Sequence, residues 1–246
     1  KMKSERIIVT TLLSVALIIA SAVIGRSVIN RNIRNQAIMV TGMAERNFES
    51  DLIVWQSQFT VKKFNLTEAY AELKKQSETT RQFLLSKGVS KDEITFSAVE
   101  INRDFSYTYG PNGNIASSNF DGFRLTQSVK INSKNVSKIE TISREITELI
   151  NQGIEITSLA PEYYYTKLSD LKIEMLAEAA KDAYNRAETM AKNGKGKLGT
   201  MVDSNMGVFQ IIAQNSSEDY SWGGSYNTSS KLKTATITVK SKYLLK

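Results

Sequence analysis

Asn193-Gly-Lys-Gly-Lys-Leu-Gly199 sets glycines among lysines, the composition of a phosphate-cradling loop. Such a loop works where its amides open a helix after a strand, so that N–H groups and the positive dipole end face the anion. Here the run follows a long Ala-rich segment, Leu168–Asn193. The nearby dipole end is then negative and favours Lys195 and Lys197 over phosphate. The run reads as a helix stop, with Gly194 as a left-handed cap. Glu45, Glu49 and Asp51 lie close in sequence and offer oxygen ligands to a cation, or are solvated loop carboxylates. Tyr163-Tyr164-Tyr165 offers rings for stacking on sugars or bases, although alternation along a strand turns at least one into the core. Tyr107, Tyr109, Tyr220, Trp222 and Tyr226 surround two Gly-, Ser- and Asn-rich stretches, 110–122 and 213–231, which read either as contact surfaces or as mobile loops.

The chain has no His and no Cys. This removes disulfides, thiol nucleophiles, imidazole bases and the commonest zinc and iron ligands. Carboxylates, Lys, Tyr, Ser and Thr remain, and no arrangement of them forms a hydrolytic constellation. No catalytic residue, cofactor site or metal site is assigned, and the chain is read as non-enzymatic. Apolar residues make up 41% of the 246, enough for a real core in one or two domains. Most of the net charge of +7 lies before residue 38, where Lys1, Lys3, Arg6, Arg26, Arg31 and Arg34 oppose only Glu5. The remainder is close to neutral and carries no basic stripe, which argues against nucleic acid as a partner.

Ile7 to Gly25 contains no charge. As a helix it would span roughly 28 Å, near the thickness of a bilayer's hydrocarbon core. Ile7, Leu12, Leu13, Leu17, Ile18 and Ile24 are its candidate lipid-facing residues. It reads as an uncleaved single-pass anchor in the bilayer; the competing reading is a signal peptide cut near Ala20-Ser21-Ala22. Residues 1–36 form an anchor and stalk in this division, and 37–246 the exported domain.

The domain must be built from the remaining patterns. Strands are expected at Ile38–Thr41, Asp51–Phe64, Ile94–Phe105, Phe123–Ile131, within 154–166, around Met201–Ile212 and at Thr234–Leu244. Helices are expected from Asn65 to Lys87, from Val136 to Ile150 and at Leu168–Asn193. The fold class is α+β: mainly antiparallel sheet with two amphipathic helices and one long Ala-rich helix, preceded by a single N-terminal transmembrane helix. The long helix places Ala180, Ala183, Ala187, Met190 and Gly194 on one stripe of mostly small residues. This stripe is expected to approach the domain's own sheet closely, with Asp182 merely solvated.

Several of these segments resemble the SIMPL-domain family, the YggE-like periplasmic proteins of bacteria. Its helix-to-strand signature has counterparts in Ala179, Ala180, Ala183, Arg186-Ala187, Met190-Ala191, Gly194, Leu198 and Gly199. "IMVTGMAE" is similar to the family's opening strand, "FLLSKGVSKDEITFSAVEI" to its next segment and "FDGFRLTQSVKI" to its Gly-aromatic strand. Two departures stand out: Glu49-Ser50-Asp51 keeps the family's Asp without its Pro, and Gly153-Ile154-Glu155 replaces a Gly-small-Asn turn. The resemblance, over about 38–245, implies no catalytic residue. It implies an exported bacterial envelope protein with a role in envelope or oxidative stress, in a family some of whose members form large ring- or cage-like homo-oligomers; together with the anchor reading, the expectation is a self-assembling protein of the bacterial inner membrane with its domain in the periplasm. The alternative is a periplasmic binding or scaffold module that recognises a ligand or protein through its aromatic loops.

Overall fold

In Leu52–Lys63 every second side chain is buried, with Ile53, Trp55, Ser57 and Phe59 fully so, as strict alternation requires of a strand with one covered face. The computed structural model describes residues 14–27 and 37–246. The described chain is α+β, with four α-helices and two sheets. In chain order the elements are helix α1 (14–27), strands β1 (Ala37–Glu49) and β2 (Leu52–Lys63), helix α2 (Leu66–Ser86), and strands β3 (Ile94–Phe96), β4 (Glu100–Tyr109) and β5 (Ile115–Ser133). Helix α3 (Val136–Glu145) continues as a 3-10 turn, Ile146–Gln152, before β6 (Glu155–Ser158) and β7 (Glu162–Tyr164). Helix α4 (Leu168–Asn193) leads to β8 (Leu198–Met206), β9 (Gln210–Ala213), β10 (Ser225–Tyr226) and β11 (Leu232–Leu245).

The two sheets partition the chain unevenly. Strands β2 to β7 form one sheet from a contiguous stretch, whereas β1 and β8 to β11 form the other. The first is therefore inserted within the second. All pairings are antiparallel except β9 with β10. Helices α2 and α3 cover the inserted sheet over a core that includes Trp55, Phe59, Leu73, Leu125 and Ile139. Asn65 caps α2 by accepting from the amides of Thr67 and Glu68. Helix α4 covers the split sheet, where Met175 and Ala179 pack on Ile211, Ile237 and Val239.

The inward row of α4 is Leu171, Met175, Ala179, Ala183, Ala187 and Ala191, an unbroken i, i+4 series. This corrects the expected stripe: Ala183 and Ala187 are buried, but Ala180, Met190 and Gly194 are exposed. A stripe that mixes steps of three and four drifts off the contact line, while an i, i+4 row inclines with the twist of the strands beneath it. Gly194 is not left-handed either (φ −79°). Lys195 takes that conformation (φ 60°), and the Gly196 amide closes the helix end on the Ala191 carbonyl at 2.9 Å.

Gly42 makes this packing possible. A Cβ at that position would lie 2.2 Å from the Ala179 carbonyl oxygen and 2.3 Å from the Ala183 nitrogen, so backbone meets backbone. Asp182 is not simply solvated: it accepts the Met43 amide at 2.9 Å and Arg186 Nε at 2.7 Å. One turn away, Arg46 of β1 pairs with both Glu174 and Glu178.

Among the described residues no helix is long and apolar enough to cross a membrane, which overturns the expected N-terminal transmembrane helix. Leu17, Ile18 and Ile24 are exposed on α1. Ile7, Leu12 and Leu13 lie outside the described residues.

Placing a methyl group at Gly42 forces helix and strand apart. Gly42→Ala is expected to cost about 3 kcal/mol or more, and Ala183→Leu a similar amount, through overpacking. Asp182→Ala should cost about 1 kcal/mol through the freed Met43 amide. Denaturant unfolding checks all three; a Gly42→Ala midpoint equal to that of the parent would refute the close contact.

Candidate functional site

The carboxylates read as cation ligands are dispersed. Asp51 accepts the Thr166 amide at 2.7 Å and its hydroxyl at 2.6 Å, Glu49 pairs with Lys231 at 2.8 Å, and Glu45 is exposed. Among the described residues no three His, Cys, Asp or Glu side chains converge on a metal position. The tyrosine triplet lies where the two sheets join. Tyr163 donates from its hydroxyl to Glu140 and from its amide to the Thr228 carbonyl, Tyr164 stacks on Tyr226, and Tyr165 packs on Phe48 at 4.9 Å. Burial and the Glu140 hydrogen bond push the Tyr163 phenol up to about 12. Tyr226 belongs to this junction, its hydroxyl accepting the Tyr165 amide.

The remaining aromatic candidates form two features. The first is an arm. The stretch 110–122, expected as a loop, is mostly strand: β5 pairs with β4 from Glu100↔Thr126 out to Tyr109↔Ile115, so only a short turn remains at the tip. No charged residue occurs from Phe105 to Phe120, and all of them but Gly110 are exposed. A bulge at its base inserts Asp121 opposite the Asp104–Phe105 link, and Gly122 beside it takes φ +108°. Arg124 holds Asp104 by a two-pronged contact, and Lys62 bridges Asp104 and Asp121 at 3.2 and 2.6 Å. The hydrogen bond from Arg124 holds the Asp104 carboxyl below its usual range.

Beyond this charged root the arm has two unlike faces. Phe105, opposite Phe120, and Tyr107 continue the alternation of the face that carries Leu125 in the core; Ser106, Thr108, Ser117 and Asn119 occupy the other. Phe120 contacts Phe105, Phe123 and exposed Phe64 edge-on at 6.0, 5.2 and 6.3 Å. The arm thus extends the helix-covered side of the sheet past the helices that cover it.

The second feature is a cavity of about 570 Å³ on the side of the split sheet away from α4. Its floor is Thr236 and Thr238 of β11 with Met43 of β1, its wall Gly207 and Val208, and its lip Tyr220 and Trp222. No charged side chain lines it. The stretch 213–231 is strapped down rather than loose. Buried Gln210 donates to the Ser221 carbonyl at 2.7 Å and accepts from the Ser221 amide and the Ser225 hydroxyl. Lys233, fully buried, donates to the carbonyls of Asn227 and Ser230. Burial lowers its ammonium to about 8. Between these anchors Trp222 is 99% exposed. With both ends of the Gln210 amide engaged, the cavity presents apolar and aromatic surface together with the hydroxyl-bearing side chains of Tyr220, Ser221, Thr236 and Thr238.

The structure thus brings Tyr220 and Trp222 together at one cavity, sets Tyr107 and Tyr109 on the arm, and draws Tyr226 into the junction. Sequence reasoning missed Phe105, Phe120 and Phe64; the charge-free run from 105 to 120 was the signal available. It also missed Met43 and Val208, which only the fold brings to the cavity.

This is a two-sheet α+β protein whose most distinctive surfaces are an aromatic arm and an uncharged cavity. A family model described as SIMPL, protein of unknown function (DUF541), matches residues 38–242, and the chain belongs to that family. No curated protein matches it.

Lys233 gives a pH test of the strap. An unfolded lysine titrates near 10.4, so between pH 8 and about 10 the unfolded state binds more protons and stability rises with pH. Below pH 8 both states are protonated and the cost of the buried charge is fully present. Relative to Lys233→Met, the parent is expected to gain up to about 3 kcal/mol from pH 7 to 10. Urea unfolding of both proteins across that range measures it, and parallel pH profiles would contradict it.

Proposed function

We propose that this SIMPL protein is a non-catalytic component that assembles with copies of itself into a closed ring or cage, and that the arm carries a principal contact. One observation supports this above the rest: an exposed ribbon from Phe105 to Phe120 has an aromatic face and not one charge. Exposed strand edges are ordinarily guarded by charges, and an isolated two-stranded ribbon is marginal in water. A partner that covers the aromatic face removes both difficulties. The setting we propose, the bacterial envelope and its response to stress, rests on the family resemblance alone. A second reading, a module that takes up a ligand or protein partner at its aromatic loop, is favoured by the cavity beside Trp222.

Light scattering on the eluting full chain separates assembly from its absence. The parent is expected at a multiple of the 27.5 kDa protomer mass. Tyr107→Glu with Tyr109→Glu should reduce that mass toward one protomer without lowering the melting temperature, because both side chains are exposed. A parent that elutes as a single protomer at micromolar concentration would overturn the proposal.

A further inference from the structure

We propose that the arm of one copy seats in the cavity of the next, so that the aromatic end around Tyr107, Tyr109 and Ile115 lies under Trp222 of a second copy. This rests on the self-assembly reading and names the contact that makes it.

The two features match in shape and in charge. The arm is a projecting ribbon, and the cavity is a hollow of about 570 Å³, within the range of pockets that enclose a few ring-bearing groups. Neither the arm from Phe105 to Phe120 nor the cavity lining carries a charge, so no ion loses its water when they meet. Both have an unpartnered aromatic element in the protomer: Tyr109 is 63% exposed and Trp222 99%. Gln210 and Lys233 fix the backbone on either side of Trp222, so the lip is held in place before an occupant arrives. Strap and lip together resemble a preformed socket.

The arm grows from the inserted sheet and the cavity opens on the split sheet. The contact therefore joins unlike patches. Such a head-to-tail interface propagates from copy to copy and ends only by closing into a ring. Pairing of arm with arm would instead stop at two copies.

The test mixes two variants of the full chain. Tyr107→Glu with Tyr109→Glu disables the arm and leaves the cavity; Val208→Glu with Trp222→Ser disables the cavity and leaves the arm. All four positions are exposed, and circular dichroism with a melting curve verifies each fold. Each variant alone is expected at the protomer mass, and an equimolar mixture at double that mass and no further, because the pair can form one good contact only. Trp222 fluorescence in the assembled parent should be shifted to the blue relative to the arm variant, with buried Trp55 contributing equally to both. A cavity variant that assembles like the parent, a mixture that remains at the protomer mass, or a solvent-like Trp222 in the assembled parent overturns this inference and leaves self-assembly standing. A parent that never assembles removes the broader reading itself.

Discussion

The missing side chain of Gly42 is the constraint around which the split sheet is organised. Because strand and helix backbones touch there, α4 is held nearer to β1 than ordinary side chains permit, and an alanine row suffices to fill the gap. Alanines bury little area each, so the helix gains its hold from closeness and from many short-range contacts. The same closeness brings Asp182 within reach of the Met43 amide and Arg46 within reach of two glutamates. The outer edge of β1, otherwise open to a foreign strand, is thereby partly closed. With α4 committed to one side, the opposite side of the sheet is free, and the cavity forms there.

The positions that carry the family resemblance acquire physical meaning in pairs. Gly42 of the opening strand meets Ala183 of the helix signature. Asp51 ties the start of β2 to Thr166, just before α4, and so joins the two sheets. Gly122 takes the left-handed turn at the root of the arm, and a Cβ at Gly199 would come within 2.9 Å of the Leu244 carbonyl oxygen. These contacts specify a backbone arrangement rather than a reaction.

How much the sequence disclosed depended on whether local pattern or distant pairing set the structure. β2, α2 and α4 were legible because burial on one face writes a period into the residues, and α4 spans Leu168–Asn193 as expected. The returning strand of the arm was not: from Ile115 to Asn119 both faces are exposed, the residues show no apolar alternation, and the Gly, Asn and Ser composition around them reads as turn. Its strand character comes from pairing with β4. The cavity was illegible for a different reason, since Met43, Val208, Trp222 and Thr238 come from four separate segments. The tyrosine triplet was half legible: alternation along the strand spoke for a ring turned inward, and Tyr163 packs on the core of the inserted sheet, but the use of Tyr164 and Tyr165 at a junction depends on partners distant in sequence. The apolar run before residue 26 spoke for a membrane span, and among the described residues no helix is long and apolar enough to be one.

The uneven division of the chain sets an order of events in synthesis. The inserted sheet draws all its strands from 52–164 and can close as soon as that stretch leaves the ribosome. The split sheet cannot, because its central strand, β11, pairs with β1 from Ala37↔Leu244 to Glu49↔Leu232 and also carries β8 and β9. Until Leu232 and the residues after it emerge, β1 waits without its neighbour and the alanine row of α4 has only half a surface to rest on. Contacts of such long sequence separation form slowly. The nascent chain therefore passes through a stage in which one half is folded and the other is sticky, and that interval is when a chaperone would find this protein most in need of it.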